Sequence, residues 1–157
     1  MFTPETTAFV EGGSALIVGS VALDGAPAAT RGWGLTILDP ENGEARLLLD
    51  ADDEVSLGNL RVTGAIAITA TDVPTLRSLQ MKGRVVAFTP STASDNERLA
   101  RYCDEFFTDI EEIDQIPREL PGQLVPDILV ACTVRIDELF DQTPGPSAGA
   151  RVEPASG

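Results

Sequence analysis

The sequence predicts a mainly β protein with flanking helices (α+β), a small closed barrel or strongly curved sheet of six antiparallel strands in one domain. Turn signals carry that expectation. Short runs of small and β-branched residues are separated at Asp24-Gly25 and at Pro40-Glu41-Asn42-Gly43, which joins neighbours into a meander. The helical patterns fall only at connections, so nothing resembles the strand–helix alternation of a parallel sheet. With 157 residues and 43% hydrophobic composition, the chain has enough apolar material for one packed core.

Thr3-Pro4-Glu5 places a capping hydroxyl before proline, and the spacing predicts a short helix ending near Gly12-Gly13. Strands follow over 15–23, 28–38 and 45–49. Asp52, Asp53 and Glu54 suit the positive end of a helix reaching Thr63, where Gly64 stops it. Ala65 to Ala70 and Leu76 to Phe88 read as the fourth and fifth strands, and Pro90 ends the latter. Ser94 with Glu97 has capping-box spacing. Leu99, Tyr102, Cys103, Phe106, Ile110 and Ile113 then recur at steps of three and four, which predicts an amphipathic helix. After an irregular proline-rich link, Ile128 to Ile136 forms the sixth strand. The barrel is expected over 1–142, and a Pro/Gly-rich, extended or disordered tail over 143–157.

Eleven Lys and Arg against 25 Asp and Glu give a formal charge of −14, which opposes binding of nucleic acid or of anionic membrane surfaces. From Thr92 to Leu120, nine carboxylates face three arginines, an acidic helix face expected to be solvated. The chain has no histidine, so Ser-His-Asp and Cys-His nucleophile systems and His-ligated metals are excluded. Cys103 and Cys132 have no paired spacing and read as core thiols in a cytoplasmic protein.

Three groupings interrupt otherwise apolar elements. In Thr30-Arg31-Gly32-Trp33-Gly34, glycines flank the single tryptophan, which marks either a barrel corner or a close approach of ligand to backbone. In Arg77-Ser78-Leu79-Gln80-Met81-Lys82-Gly83-Arg84, alternation puts Ser78, Gln80, Lys82 and Arg84 on one face. Such a row could read the polar edge of a planar ligand and neutralise a phosphate, or simply face solvent. Ser56, in Asp52-Asp53-Glu54-Val55-Ser56-Leu57-Gly58-Asn59-Leu60, lies near a helix start where anions bind, although adjacent carboxylates oppose an anion.

The order of these motifs, with Asp24-Gly25, Pro27 and the later Asp141-Gln142-Thr143-Pro144-Gly145-Pro146, resembles the pyridoxamine 5'-phosphate oxidase-like, FMN-binding split-barrel proteins. The resemblance spans roughly Phe9 to Arg151. It implies a six-stranded split barrel, a homodimer and FMN held at the subunit interface. On that resemblance, Arg31, Gly32, Trp33 and Gly34 line the ring and phosphate, Ser56 precedes the phosphate-binding basic pair, and Ser78, Gln80 and Lys82 lie on the strand that contacts the ring. The chain departs from the family pattern at Leu57 and Gly58, where basic residues are common; Arg31, Lys82 or Arg61 are the available substitutes.

The implied activity is a flavin-dependent oxidoreduction of a small-molecule substrate. That substrate is not a B6 vitamer, because the Arg-x-His signature for it needs a histidine. A deazaflavin cofactor would need a basic groove that a chain with one lysine does not offer. The alternative is a flavin-free split barrel serving as a binding or interaction module. A tetrapyrrole-handling member would have to use Tyr102, a cysteine, a methionine or no residue at all as axial ligand.

Overall fold

Local chemistry sets each element of the computed structural model, which describes residues 1–153. The last residues of the expected tail, 154–157, lie outside the described residues. Helix α1 (Pro4–Glu11) starts where Thr3 Oγ1 accepts the Thr6 N–H at 3.1 Å, with Pro4 in the first turn, where a missing N–H costs nothing. Strands β1 (Ala15–Val21) and β2 (Pro27–Arg31) form a hairpin whose turn is fixed by Asp24 Oδ1 accepting the Ala26 N–H at 3.0 Å. They are followed by β3 (Leu35–Asp39), β4 (Glu44–Asp50), helix α2 (Glu54–Thr63), β5 (Ala65–Thr71) and β6 (Ser78–Pro90). Helix α3 (Ala93–Asp114), the single turn α4 (Glu119–Gly122) and β7 (Leu129–Asp141) complete the order.

One antiparallel sheet runs β2-β1-β5-β6-β7-β4-β3. It has seven strands where six were expected, because the strand expected over 28–38 divides at Gly32-Trp33-Gly34. There the Gly32 N–H donates to Leu16 O, the Trp33 N–H donates to Leu48 O, and Gly34 O accepts the Leu48 N–H, each at 2.9 Å. The chain therefore leaves β1 and takes up β4 within three residues. Gly34 turns with φ +148°, and a Cβ on Gly32 would meet Leu16 Cβ at 2.9 Å, so both positions need glycine. The sheet curls until its two edge strands meet at this crossing, and no continuous ladder closes it: the barrel is split.

Leu16, Val18, Leu35, Leu47, Leu49, Ile68, Met81, Val134 and Ile136 fill the interior with exposures of 1% or less. Each contributes roughly 1.5–3 kcal/mol relative to exposure in water. Tyr102 and Phe106 of α3 close one end, and the Leu16 N–H donates to Tyr102 Oη at 3.4 Å.

The capping box of α3 sits two residues earlier than the spacing suggested, at Thr92 and Asp95 rather than at Ser94 and Glu97. Asp95 has a second attraction there: Arg46 Nε and Nη2 reach its two oxygens at 2.8 and 2.6 Å. One carboxylate thus caps the helix and ties it to β4. Beyond β7 the chain folds back, with Val152 N–H on Leu139 O at 2.8 Å and Asp141 N–H on Ala150 O at 2.9 Å. Among the described residues, no helix is long and apolar enough to cross a membrane.

Candidate functional site

Strand register decides which of the sequence-predicted residues meet. Arg31 pairs with Ile17, Ile17 with Thr69, Thr69 with Gln80, and Gln80 with Phe140. These positions form a row across five strands, and half-exposed Ile17 shows that the row faces outward. Three strand spacings separate Arg31 from Gln80, a span of about 14 Å. The next outward row is Ala29, Gly19, Ala67, Lys82 and Glu138. Its middle is glycine and alanine, so the sheet has a shallow floor.

A groove of about 590 Å³ lies on this face. Gly19, Ala65 and Ala67 make its floor, while Lys82, Arg84, Asp137 and Glu138 stand along its side. Lys82 is exposed and its Nζ sits 4.6 Å from the Phe140 ring centre. Gln80 is half-buried beside the groove; its Nε2 donates to Thr69 Oγ1 at 3.3 Å, and its Oε1 accepts from Gln142 Nε2 at 3.5 Å. The Arg31 guanidinium lies 5.9 Å from the Trp33 ring centre and 5.3 Å from that of Phe106. It makes no ion pair among the described residues. A cation held on two aromatic faces without a carboxylate keeps its charge available to an anion.

Other predicted residues lie elsewhere or are already engaged. Trp33 is 4% exposed and packs in the core behind Arg31, and Gly32 and Gly34 are buried at the crossing. The Ser78 hydroxyl is spent on Leu76 O at 3.0 Å and Thr71 Oγ1 at 2.9 Å, which pins the β5–β6 connection. Ser56 is buried in α2, and its N–H donates to Asp53 Oδ1 at 3.0 Å. Burial pushes the Asp53 carboxyl up, but hydrogen bonds from Thr30 and Ser56 outweigh it and hold the group below the usual range. The start of α2 is therefore filled by a carboxylate of its own chain. Leu57 is a core residue and Gly58 has open space around it, so no cation follows Ser56.

Cys132 and Tyr102 are buried, and Cys103 is partly buried. Burial pushes Tyr102 up to about 12, Cys103 to about 11 and Cys132 to about 12. None presents an ionised ligand or nucleophile near neutral pH.

Sequence reading missed the floor, because Gly19, Ala65 and Ala67 carry no chemistry individually. The available sign was alternation: Ala65 and Ala67 two apart on β5, with Gly19 paired to Ala67 on the neighbouring strand.

No protein-family model and no curated protein sequence matches this chain. Solved structures do. An F420 reductase superposes with a TM-score of 0.58 at 18% identity, over 87% of this chain and 98% of its own. A candidate pyridoxamine 5'-phosphate oxidase from Lactobacillus delbrueckii gives 0.56 at 16% identity, over 88% and 93%. An FMN-binding protein from Syntrophomonas wolfei gives 0.53 at 10% identity, over 86% and 82%. At such identities the likeness is one of fold, and the fold of this chain is the split barrel of the pyridoxamine 5'-phosphate oxidase-like proteins.

Proposed function

We propose that this protein binds FMN non-covalently on the outer face of β1, β5 and β6, at a homodimer interface, and acts as an oxidoreductase on a small molecule other than a B6 vitamer. The outward row from Arg31 to Gln80 carries this reading. It offers a cation at one end and an amide at the other, and the adjacent row adds a shallow floor of small side chains at Gly19 and Ala67. Arg31, backed by Trp33, takes the phosphate; Gly19 and Ala67 underlie the ring; Gln80, oriented by Thr69 and Gln142, hydrogen-bonds the ring edge. Lys82 and Arg84 stand along the groove beside Asp137 and Glu138, which leaves Arg31 as the cation for the phosphate. Bound flavin would carry the redox chemistry, while the protein contributes position and polarity. Exposed Ile17, Val62 and Val86 lie on the elements around the groove, and a second copy would cover them.

A visible spectrum with native mass measurement tests the proposal. The expected result is a yellow dimer with a band near 450 nm, and Arg31→Ala weakens FMN binding about tenfold or more. A colourless monomer indifferent to added FMN would overturn it.

One observation favours the flavin-free alternative: Asp53 fills the start of α2, where the family's phosphate site would use Ser56 and the basic residues after it. On that reading, Arg31→Ala leaves ligand binding and thermal stability nearly unchanged.

A further inference from the structure

A second cavity, of about 520 Å³, lies between β3, β4, the end of β6 and the start of α3, and shares no lining residue with the groove. Arg46, Arg98 and Arg101 line it, together with the hydroxyl-bearing Thr36, Thr89, Thr92 and Ser94. Its single carboxylate, Asp95, is consumed by Arg46 and by the Thr92 cap.

Two positive charges are thus left over in a chain of formal charge −14. Neither Arg98 nor Arg101 makes an ion pair among the described residues. Arg98 is 9% exposed, and its Nε and Nη2 donate to the carbonyls of Leu35 and Glu11. No protein acceptor among the described residues takes the hydrogens of its Nη1. Among the described residues no sealed side-chain nitrogen or oxygen lacks a partner, so Nη1 opens to solvent, and the cavity is the opening that Arg98 lines. Burial, and then the like charge of Arg101, push Arg98 below its ordinary range, with Glu105 and Glu11 acting the other way. A cavity lined by two guanidiniums, neither of them in an ion pair, has a place for an external anion.

We propose that this cavity binds the phosphoryl group of a small phosphomonoester. Arg98 Nη1 and the Arg101 guanidinium would donate to its oxygens, and the Ser94 hydroxyl would add a neutral donor. Guanidinium forks and hydroxyls match a tetrahedral oxyanion, and the cavity exceeds what the phosphoryl group alone would fill. The site is independent of any flavin.

The test is calorimetric titration of inorganic phosphate into the full-length protein at fixed ionic strength. Saturable binding is expected, weakened tenfold or more by Arg101→Glu and unchanged by Lys82→Ala, a cation of the other groove. Arg101 is exposed, so its replacement leaves the core intact, and an unchanged far-ultraviolet circular dichroism spectrum checks this. Absence of binding, equal weakening by both substitutions, or weakening by Lys82→Ala alone overturns the proposal.

Discussion

The outward faces of two stretches of the same sheet differ in what covers them. On β1 and β5 the outward positions are Ile17, Gly19, Ala67 and Thr69, and the groove over Gly19 and Ala67 is lined by strands and, at one edge, by Thr63 of α2. On β4 the outward positions are Arg46 and Leu48; Leu48 is 1% exposed beneath Gly34 and Arg98, and Arg46 is tied to α3. Helix α3 covers the second face, whereas Ile17 stays half-exposed on the first. Small residues collect where cover is missing, and large residues, with the Arg46–Asp95 pair, where it is supplied. Substitutions on the two faces should therefore damage different properties.

The largest effect is expected from Asp95→Ala. It strips Arg46 of its partner and the first turn of α3 of its cap, a loss on the order of 3 kcal/mol. Lys82→Ala, on the open face, should stay within about 0.5 kcal/mol. Urea midpoints of the two variants measure the contrast, and equal losses would break it.

Acid should reproduce the effect in the unmodified protein. Hydrogen bonds from Arg46, against the opposing effect of burial and with help from Thr92, hold the Asp95 carboxyl at about 2 instead of 3.8. A carboxyl whose folded value lies below its unfolded value adds stability above the unfolded value and loses it as pH falls. The window runs from about pH 4 down to about pH 2. An Asp95→Asn protein, with no carboxylate to protonate, should show a smaller loss of stability across that interval than the unmodified chain.

How much of this was legible in the sequence follows from range. Turns and helix starts were legible because Asp24, Gly25, Pro4 and Gly64 act on their neighbours. The β-rich class followed from those turns. The division at Gly32-Trp33-Gly34 was not legible as a change of strand partner, since Leu16 and Leu48 lie far along the chain. The same reason hid the true cap of α3: Ser94 and Glu97 have the same spacing with the glutamate a capping box favours, but Arg46 decides the matter from another strand. At the candidate site, alternation placed Gln80 and Lys82 on one face correctly, whereas Arg31 joined them only through register across β1 and β5.

A smaller effect on stability, with a large one on binding, is expected from Gly19→Leu. A Cβ at Gly19 would touch only Ala67, at 3.8 Å, so the fold accepts it with a loss of about 1 kcal/mol or less. The added side chain would occupy the floor of the groove and exclude a planar ligand. Retained melting temperature with lost FMN binding is the expected pair of readings; retained binding would move the ligand off this face.

The smallest effect isolates what makes the closed face strong. Helix α3 holds a second Arg–Asp contact, Arg118 Nη2 to Asp104 Oδ1 at 2.9 Å, similar in length to the 2.6 Å between Arg46 and Asp95. The two differ in solvent access: 41% and 74% of the outer pair's side chains are exposed, against 22% and 7% for the inner pair. In water each member of the outer pair keeps most of its hydration when the other is lost, so Arg118→Ala should cost under about 0.5 kcal/mol. Removing Asp95 instead leaves a guanidinium that the fold has already partly dehydrated. Comparable urea midpoints for Arg118→Ala and Asp95→Ala would mean that pairing alone, rather than the cover supplied by α3, separates the two faces.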